Sequence, residues 1–193
     1  MKAFLIVTLT FFSFSVFAGK VEHQCSSESY ADAMKSDCFI KFDMESTKAG
    51  FITTSFTGVV KKFNTVFNWN GEEFANALLK INVADMDTDN SARDSKMNEE
   101  TFSSDKFAEL AVQIGGPLKA GVHNNVPGLL TVRGKIKEIT LNLEITVSKD
   151  KEYVIKGSSQ MSIKQLELPD PSIFIASVRD RVDLSFQIKG KLD

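Results

Sequence analysis

Aromatic rings that carry a hydrogen-bonding group are scarce in this chain: two tyrosines and one tryptophan stand against 16 phenylalanines. Histidine and cysteine occur twice each and proline four times. The two histidines, His23 and His123, sit in segments read as irregular, and neither has a partner at the usual spacing of zinc ligands. The serines include no Gly-x-Ser-x-Gly elbow. A phosphate-binding glycine loop is missing as well, and the many carboxylates fall on the polar faces of alternating runs. The reading is therefore of a protein that is not an enzyme, with no metal and no cofactor. After residue 18 no apolar run approaches the ~18 residues of a membrane-spanning helix, so no stable membrane insertion is expected. Charge of one sign is lacking too. The 23 basic and 25 acidic residues are mixed along the chain, which argues against nucleic acid as a partner.

The first 18 residues read as an export signal. Lys2 supplies the basic start, Ala3 to Phe12 an apolar core, and Val16-Phe17-Ala18 the small or apolar residues before a cleavage site. The expected organisation is a signal over 1–18 and one domain over 19–193, in the periplasm or secreted. Without Lys2 the 23 basic residues become 22 against 25 acidic ones, a net charge of −3. Cys25 and Cys38 both survive cleavage. An even count in an exported chain suggests one disulfide, worth about 3 kcal/mol in the chain-entropy view; the alternative is a pair of free thiols.

Residues 19–37 are polar and weakly patterned, with a helical turn around Tyr30 to Met34. Beyond them, period-two alternation dominates. Ile139, Leu141, Leu143, Ile145 and Val147 alternate with polar residues, as do Val182, Leu184, Phe186 and Ile188. Weaker alternation covers 38–44, 51–57, 59–69, 75–85, 107–114, 128–134 and 152–164, giving eight or nine strands. Each has one apolar and one polar face, the pattern of antiparallel strands. Turn residues such as Gly58, Asn70-Gly71 and Gly134 punctuate them. A barrel and a sandwich both satisfy this pattern.

Five phenylalanines lie in the signal and 11 follow it. Phe63, Phe67, Leu79, Ile81, Leu141, Leu143, Met161 and Phe186 stand on the apolar faces of their strands. Gly157 shares a face with Met161 and suggests room inside the wall. An interior of this kind offers a hydrocarbon chain apolar burial at ~25 cal/mol per Å2. The same faces equally describe a packed core.

Met86 to Met97 reads as a strand breaking into a capped helical turn. Asp85-x-Asp87-x-Asp89 begins like a calcium loop, but Asn90 stands where glycine is needed and Lys96 where the bidentate glutamate is needed. Asp87, Asn90, Arg93 and Asp94 are therefore assigned a structural role: a helix cap and an ion pair from Arg93 that hold the turn.

Asp87-Thr88-Asp89-Asn90-Ser91-Ala92-Arg93-Asp94 resembles the Asp-Thr-x-Asn-x-x-Arg-Asp signature of the YceI-like family. Phe56 to Phe63 is similar to that family's early strand, with Val60 where Phe is usual. Phe102 to Ala108 resembles its Phe-Phe-Asp-x-x-Lys-Phe-Pro segment, and Gly128 to Gly134 followed by Ile139-Thr140-Leu141 its later hairpin. The four stretches cover about residues 56–147 in the family's order. The ends depart from it: Gly50-Phe51 stand near the expected histidine, and Gln165 to Leu168 replace the expected Arg-x-Asp-Phe-Gly turn. The resemblance implies an all-β fold, an extended, antiparallel, eight-stranded, lipocalin-like barrel with a short helical segment after the fourth strand. It also implies a polyisoprenoid or other long-chain amphiphilic lipid as partner, carried or stored in the periplasm without chemistry. The cavity lining expected is Phe63, Phe67, Leu79, Ile81, Leu141, Leu143, Gly157, Met161 and Phe186. The alternative is an exported structural or interaction barrel with a packed core and no ligand. The oligomeric state is left open, a homodimer included.

Overall fold

Alternating side chains build one antiparallel sheet. The computed structural model describes residues 19–172 and 176–192, and the export signal read over residues 1–18 lies outside them. The elements are β1 (Gly19–Ser26), α1 (Tyr30–Lys35), β2 (Phe39–Lys48), β3 (Ile52–Val60), β4 (Lys62–Trp69), β5 (Glu73–Asn82), β6 (Met86–Asp87), α2 (Ser91–Lys96), β7 (Glu109–Ile114), β8 (Leu118–Lys119), β9 (Gly121–Val132), β10 (Lys135–Val147), β11 (Glu152–Met161), β12 (Ala176–Val178) and β13 (Val182–Lys191). A 3-10 turn (Val83–Asp85) separates β5 from β6, and α2 runs on into a π-helical turn (Met97–Phe102).

The strand order is β1-β4-β5-β7-β9-β10-β11-β13-β2-β3-β6, with β8 on β5 and β12 on β2. All pairings are antiparallel. The sheet curls into a half-barrel, its inward faces meeting in a cluster that takes Phe63, Ile81, Leu141, Tyr153 and Phe186 from five different strands. The all-β expectation holds, and the eight-strand count is corrected: the sheet contains 13 strands among the described residues.

The difference has identifiable sources. Strand β1 escaped the sequence reading because its inward positions are Val21, His23 and Cys25, of which only Cys25 is fully buried. The partner strand supplies the missing apolar face, with Val21 opposite Phe67 and Cys25 opposite Phe63. Strands β6, β8 and β12 span two or three residues, too few to show a period. The run at 59–69 is no single strand. Val59 and Val60 are both buried, at 0% and 3% exposure, so the alternation changes phase there. The chain bends at Lys61, whose N–H donates to the Asp85 carbonyl while its own carbonyl accepts from Ser27 N–H.

The helix expected after the fourth strand follows the sixth, and the helical turn expected around Tyr30 to Met34 is α1. Both are capped: the Ser29 hydroxyl accepts from Asp32 N–H and the Asn90 side chain from Arg93 N–H. Both histidines lie in strands rather than loops, His23 in β1 and His123 in β9. Strand β9 starts earlier than its alternation suggests. Asn125 adopts a positive φ of 57° and the register slips between Leu141 and Leu143. Pro127, which has no N–H to give, lies next to this bulge and beyond the residues of β9 that pair with β7. Cys25 and Cys38 are joined, with Cα atoms 6.0 Å apart, tying β1 to the start of β2.

Candidate functional site

The inward faces do not fill the interior completely. They enclose a cavity of about 540 Å3. Alternate residues of β2 (Ile40, Phe42, Met44) and of β10 (Ile139, Leu141, Leu143, Ile145) form two of its walls, and residues of β5, β7, β11 and β13 complete them. The size falls within the roughly 300–1,000 Å3 of buried small-molecule sites.

Of the residues predicted to line it, Phe67, Leu79, Ile81, Leu141, Leu143, Met161 and Phe186 do so. Phe63 does not; it is buried at 3% exposure in the core. Gly157 does not either, and the reason corrects the idea that it leaves room. A Cβ built at Gly157 would overlap the ring of Phe186, its direct partner across β11 and β13. The same device recurs twice. Phe42 covers Gly58 across β2 and β3, and Tyr153 covers Gly190 across β11 and β13. Ser159, on the same face as Gly157, is buried and donates to the Thr140 carbonyl at 2.7 Å. These small residues accommodate rings and hydrogen bonds of the wall itself.

One end of the cavity is aromatic. The Phe67 ring lies tilted 5.2 Å from Phe74 and meets Tyr153 edge-to-face at 5.4 Å, and Trp69 lies 4.5 Å from Phe74, centroid to centroid. Tyr153 is fully buried, and burial pushes its phenol up to about 12.

The other end lies beside the turn from β6 to α2. There Asp87 accepts from Asp89 N–H and faces Lys61 at 3.0 Å. Burial alone would raise its carboxyl, but those two contacts outweigh it and hold it below the usual range. Asp94 accepts from both the N–H and the hydroxyl of buried Thr88, at 3.0 and 2.6 Å. Asp87, Asn90 and Asp94 thus form the turn as read from the sequence. Arg93 departs from that reading. It makes no ion pair among the described residues; its guanidinium lies 3.7 Å from the centroid of the Phe56 ring, and it lines the cavity. Sequence reasoning missed this because the ring that Arg93 meets, Phe56, lies far back in the chain on β3.

Outside the cavity, His23, Cys25 and Cys38 bring their ligand atoms within 4.8 Å of one another. The disulfide commits both sulfurs to each other, so no thiolate is offered to a metal there. No helix among the described residues is long and apolar enough to cross a membrane.

The fold has solved counterparts. BcnA from Burkholderia cenocepacia is similar with a TM-score of 0.62 and 17% identity, over 79% of this chain and 96% of that one. A polyisoprenoid binding domain from Saccharophagus degradans, implicated in plant cell wall breakdown, gives 0.58 and 15%, over 80% and 94%. The YCEI protein of Campylobacter jejuni gives 0.58 and 20%, over 70% and 84%. No curated protein sequence matches significantly. The model of the YceI-like domain matches residues 31–190, and this chain belongs to the YceI-like domain family.

Proposed function

We propose that this is an exported protein that binds a polyisoprenoid or other long-chain amphiphilic lipid in its cavity, for carriage or storage in the periplasm, and that it performs no chemistry on it. The observation that carries the reading is the unfilled apolar interior. Unfilled apolar space forfeits packing contacts and costs stability in proportion to its volume, and a typical domain has only about 5–15 kcal/mol of stability in all. Side chains that could have closed the space were not placed there, which argues against the packed-core alternative and for an occupant. Apolar walls suit a hydrocarbon tail, because burial rewards length without demanding hydrogen bonds.

Support for export comes from the basic start at Lys2, the apolar run that follows it, and the disulfide, a bond suited to an oxidising compartment. Support for the ligand class comes from the family and from the polyisoprenoid binding domain that shares the fold. Native mass spectrometry of protein purified from the periplasm of its own cells tests the reading. A mass excess that lipid extraction removes, and that yields one long-chain species, is expected. Protein that is lipid-free as isolated, and that takes up no long-chain lipid when offered it, overturns the proposal.

A further inference from the structure

The cavity wall is electrically one-sided. Its charged residues are Lys48, Arg93 and Lys96, with no aspartate or glutamate among the described residues that line it. The chain as a whole carries a net charge of −2, so this excess of cations runs against the overall balance.

The three cations also lie in one half of the cavity, from the level of Met44 to that of Lys48 on β2. Arg93 lies on the ring of Phe56, which stands opposite Met44. Two and four residues along β2 come Ser46 and Lys48, paired to β12 at Val178 and Ala176. Lys96 reaches the same region, donating to the Ser172 carbonyl at 2.8 Å. The aromatic group of Phe67, Phe74 and Tyr153 lies at the opposite end. The cavity therefore has a cationic end and a hydrocarbon end.

Arg93 is the best placed of the three. Of the acids on its own segment, Asp87 is engaged with Lys61 and Asp94 with Thr88, and Asp89, whose backbone N–H donates to Asp87, makes no ion pair with Arg93 among the described residues. Lys96 shares its charge with Glu100 at 3.5 Å. Lys48 is exposed at the rim. Arg93 Nη1 is buried and finds no acceptor among the described residues. A buried guanidinium N–H without an acceptor costs free energy unless a ligand supplies one. The contact with the Phe56 ring holds the guanidinium at the wall, and its planar fork suits carboxylate or phosphate oxygens.

We infer that Arg93, helped by Lys96, is the seat for an anionic head group, so that the ligand is a single-chain amphiphile ending in a carboxylate or a phosphate. This rests on the lipid-binding reading and narrows it. A neutral hydroxyl or carbonyl head could accept from Nη1 but would leave the cationic charge of the wall unbalanced, and a cationic head would be repelled; an anionic one answers both and brings the tail into the apolar half.

The test uses delipidated mature protein and four ligands with one sixteen-carbon tail: hexadecanoate, hexadecyl phosphate, hexadecanol and hexadecylamine, compared by competition in native mass spectrometry. The two anions should bind roughly 10- to 100-fold tighter than the alcohol, with the amine weakest. The order of the two anions separates a carboxylate seat from a phosphate seat. Arg93→Gln should bring the anions to the level of the alcohol and leave the alcohol unchanged, with folding checked by circular dichroism. Should that variant fail to fold, Lys96→Gln should narrow the same gap by a smaller factor, and the wild-type ranking decides independently. Alcohol binding as tight as anion binding in the wild-type protein overturns the head-group inference while the lipid reading stands. Binding of none of the four overturns the head-group inference, and the lipid reading falls with it if the isolated protein is also lipid-free and takes up no polyisoprenoid.

Discussion

Gly157 in β11 stands directly opposite Phe186 in β13, and the Phe186 ring occupies the position where a side chain at Gly157 would begin. The small residue is the complement of the large one, and together they make a continuous piece of cavity wall. Gly157→Ala should therefore overpack the wall and cost about 1–3 kcal/mol, read from chemical denaturation. Combining it with Phe186→Leu should recover part of the loss, because the ring that collides is gone. A neutral Gly157→Ala would show that Phe186 moves aside freely.

Room for a ligand is better probed at Ala77, a small residue of β5 that lines the cavity between Phe74 and Leu79. Ala77→Leu should point new methyl groups into the open space. Binding of long-chain ligands should fall at least several-fold while the melting temperature holds or rises, since the added atoms fill a void. Unchanged binding would place the ligand elsewhere.

The turn after β6 depends on its acceptors. Asn90→Ala should cost about 1 kcal/mol by removing the cap on α2. Asp94→Ala should cost about 1–3 kcal/mol, because the buried Thr88 N–H and hydroxyl lose their acceptor. Added calcium should not raise the melting temperature. A calcium-dependent rise abolished by Asp87→Asn would reassign the motif to metal binding.

Cys25 and Cys38 should appear as a linked peptide in non-reducing mapping of periplasm-derived protein. Replacing both by serine should lower stability by about 3 kcal/mol. Two alkylatable thiols in the native protein would remove this strut between β1 and β2.

Glu167 offers a pH test. Lys135 and Lys137 both contact its carboxylate and lower it from 4.5 to about 2. A depressed carboxylate stabilises the folded chain above pH 4.5, and the contribution is lost as pH falls toward 2. The group is fully exposed, so the global effect should be small. The local effect falls on the segment that carries Leu166 and Leu168 to the cavity wall. Amide exchange in residues 163–168 should speed up relative to β10 as pH falls through that window, once intrinsic rates are corrected, and Glu167→Gln should remove the change.

Alternation alone determined that this chain is an antiparallel β protein, and most inward residues could be named from it, because a period of two puts every second side chain on one face whatever the neighbouring strands are. Leu141, Leu143, Leu79 and Ile81 were legible for that reason. The cap at Asn90 was legible because capping is local chemistry. Whether an inward face meets side chains or open space depends on how the sheet curls, which no single strand encodes. Gly157 looked like room until its partner proved to be Phe186. Strand β1 was invisible because its apolar complement, Phe63 and Phe67, lies far along the chain on β4. Arg93 looked like half of an ion pair, and only packing against Phe56 turned it toward the cavity. Sequence specifies which face a residue takes; the tertiary structure alone decides what that face meets, because the meeting is made by residues far apart in the chain.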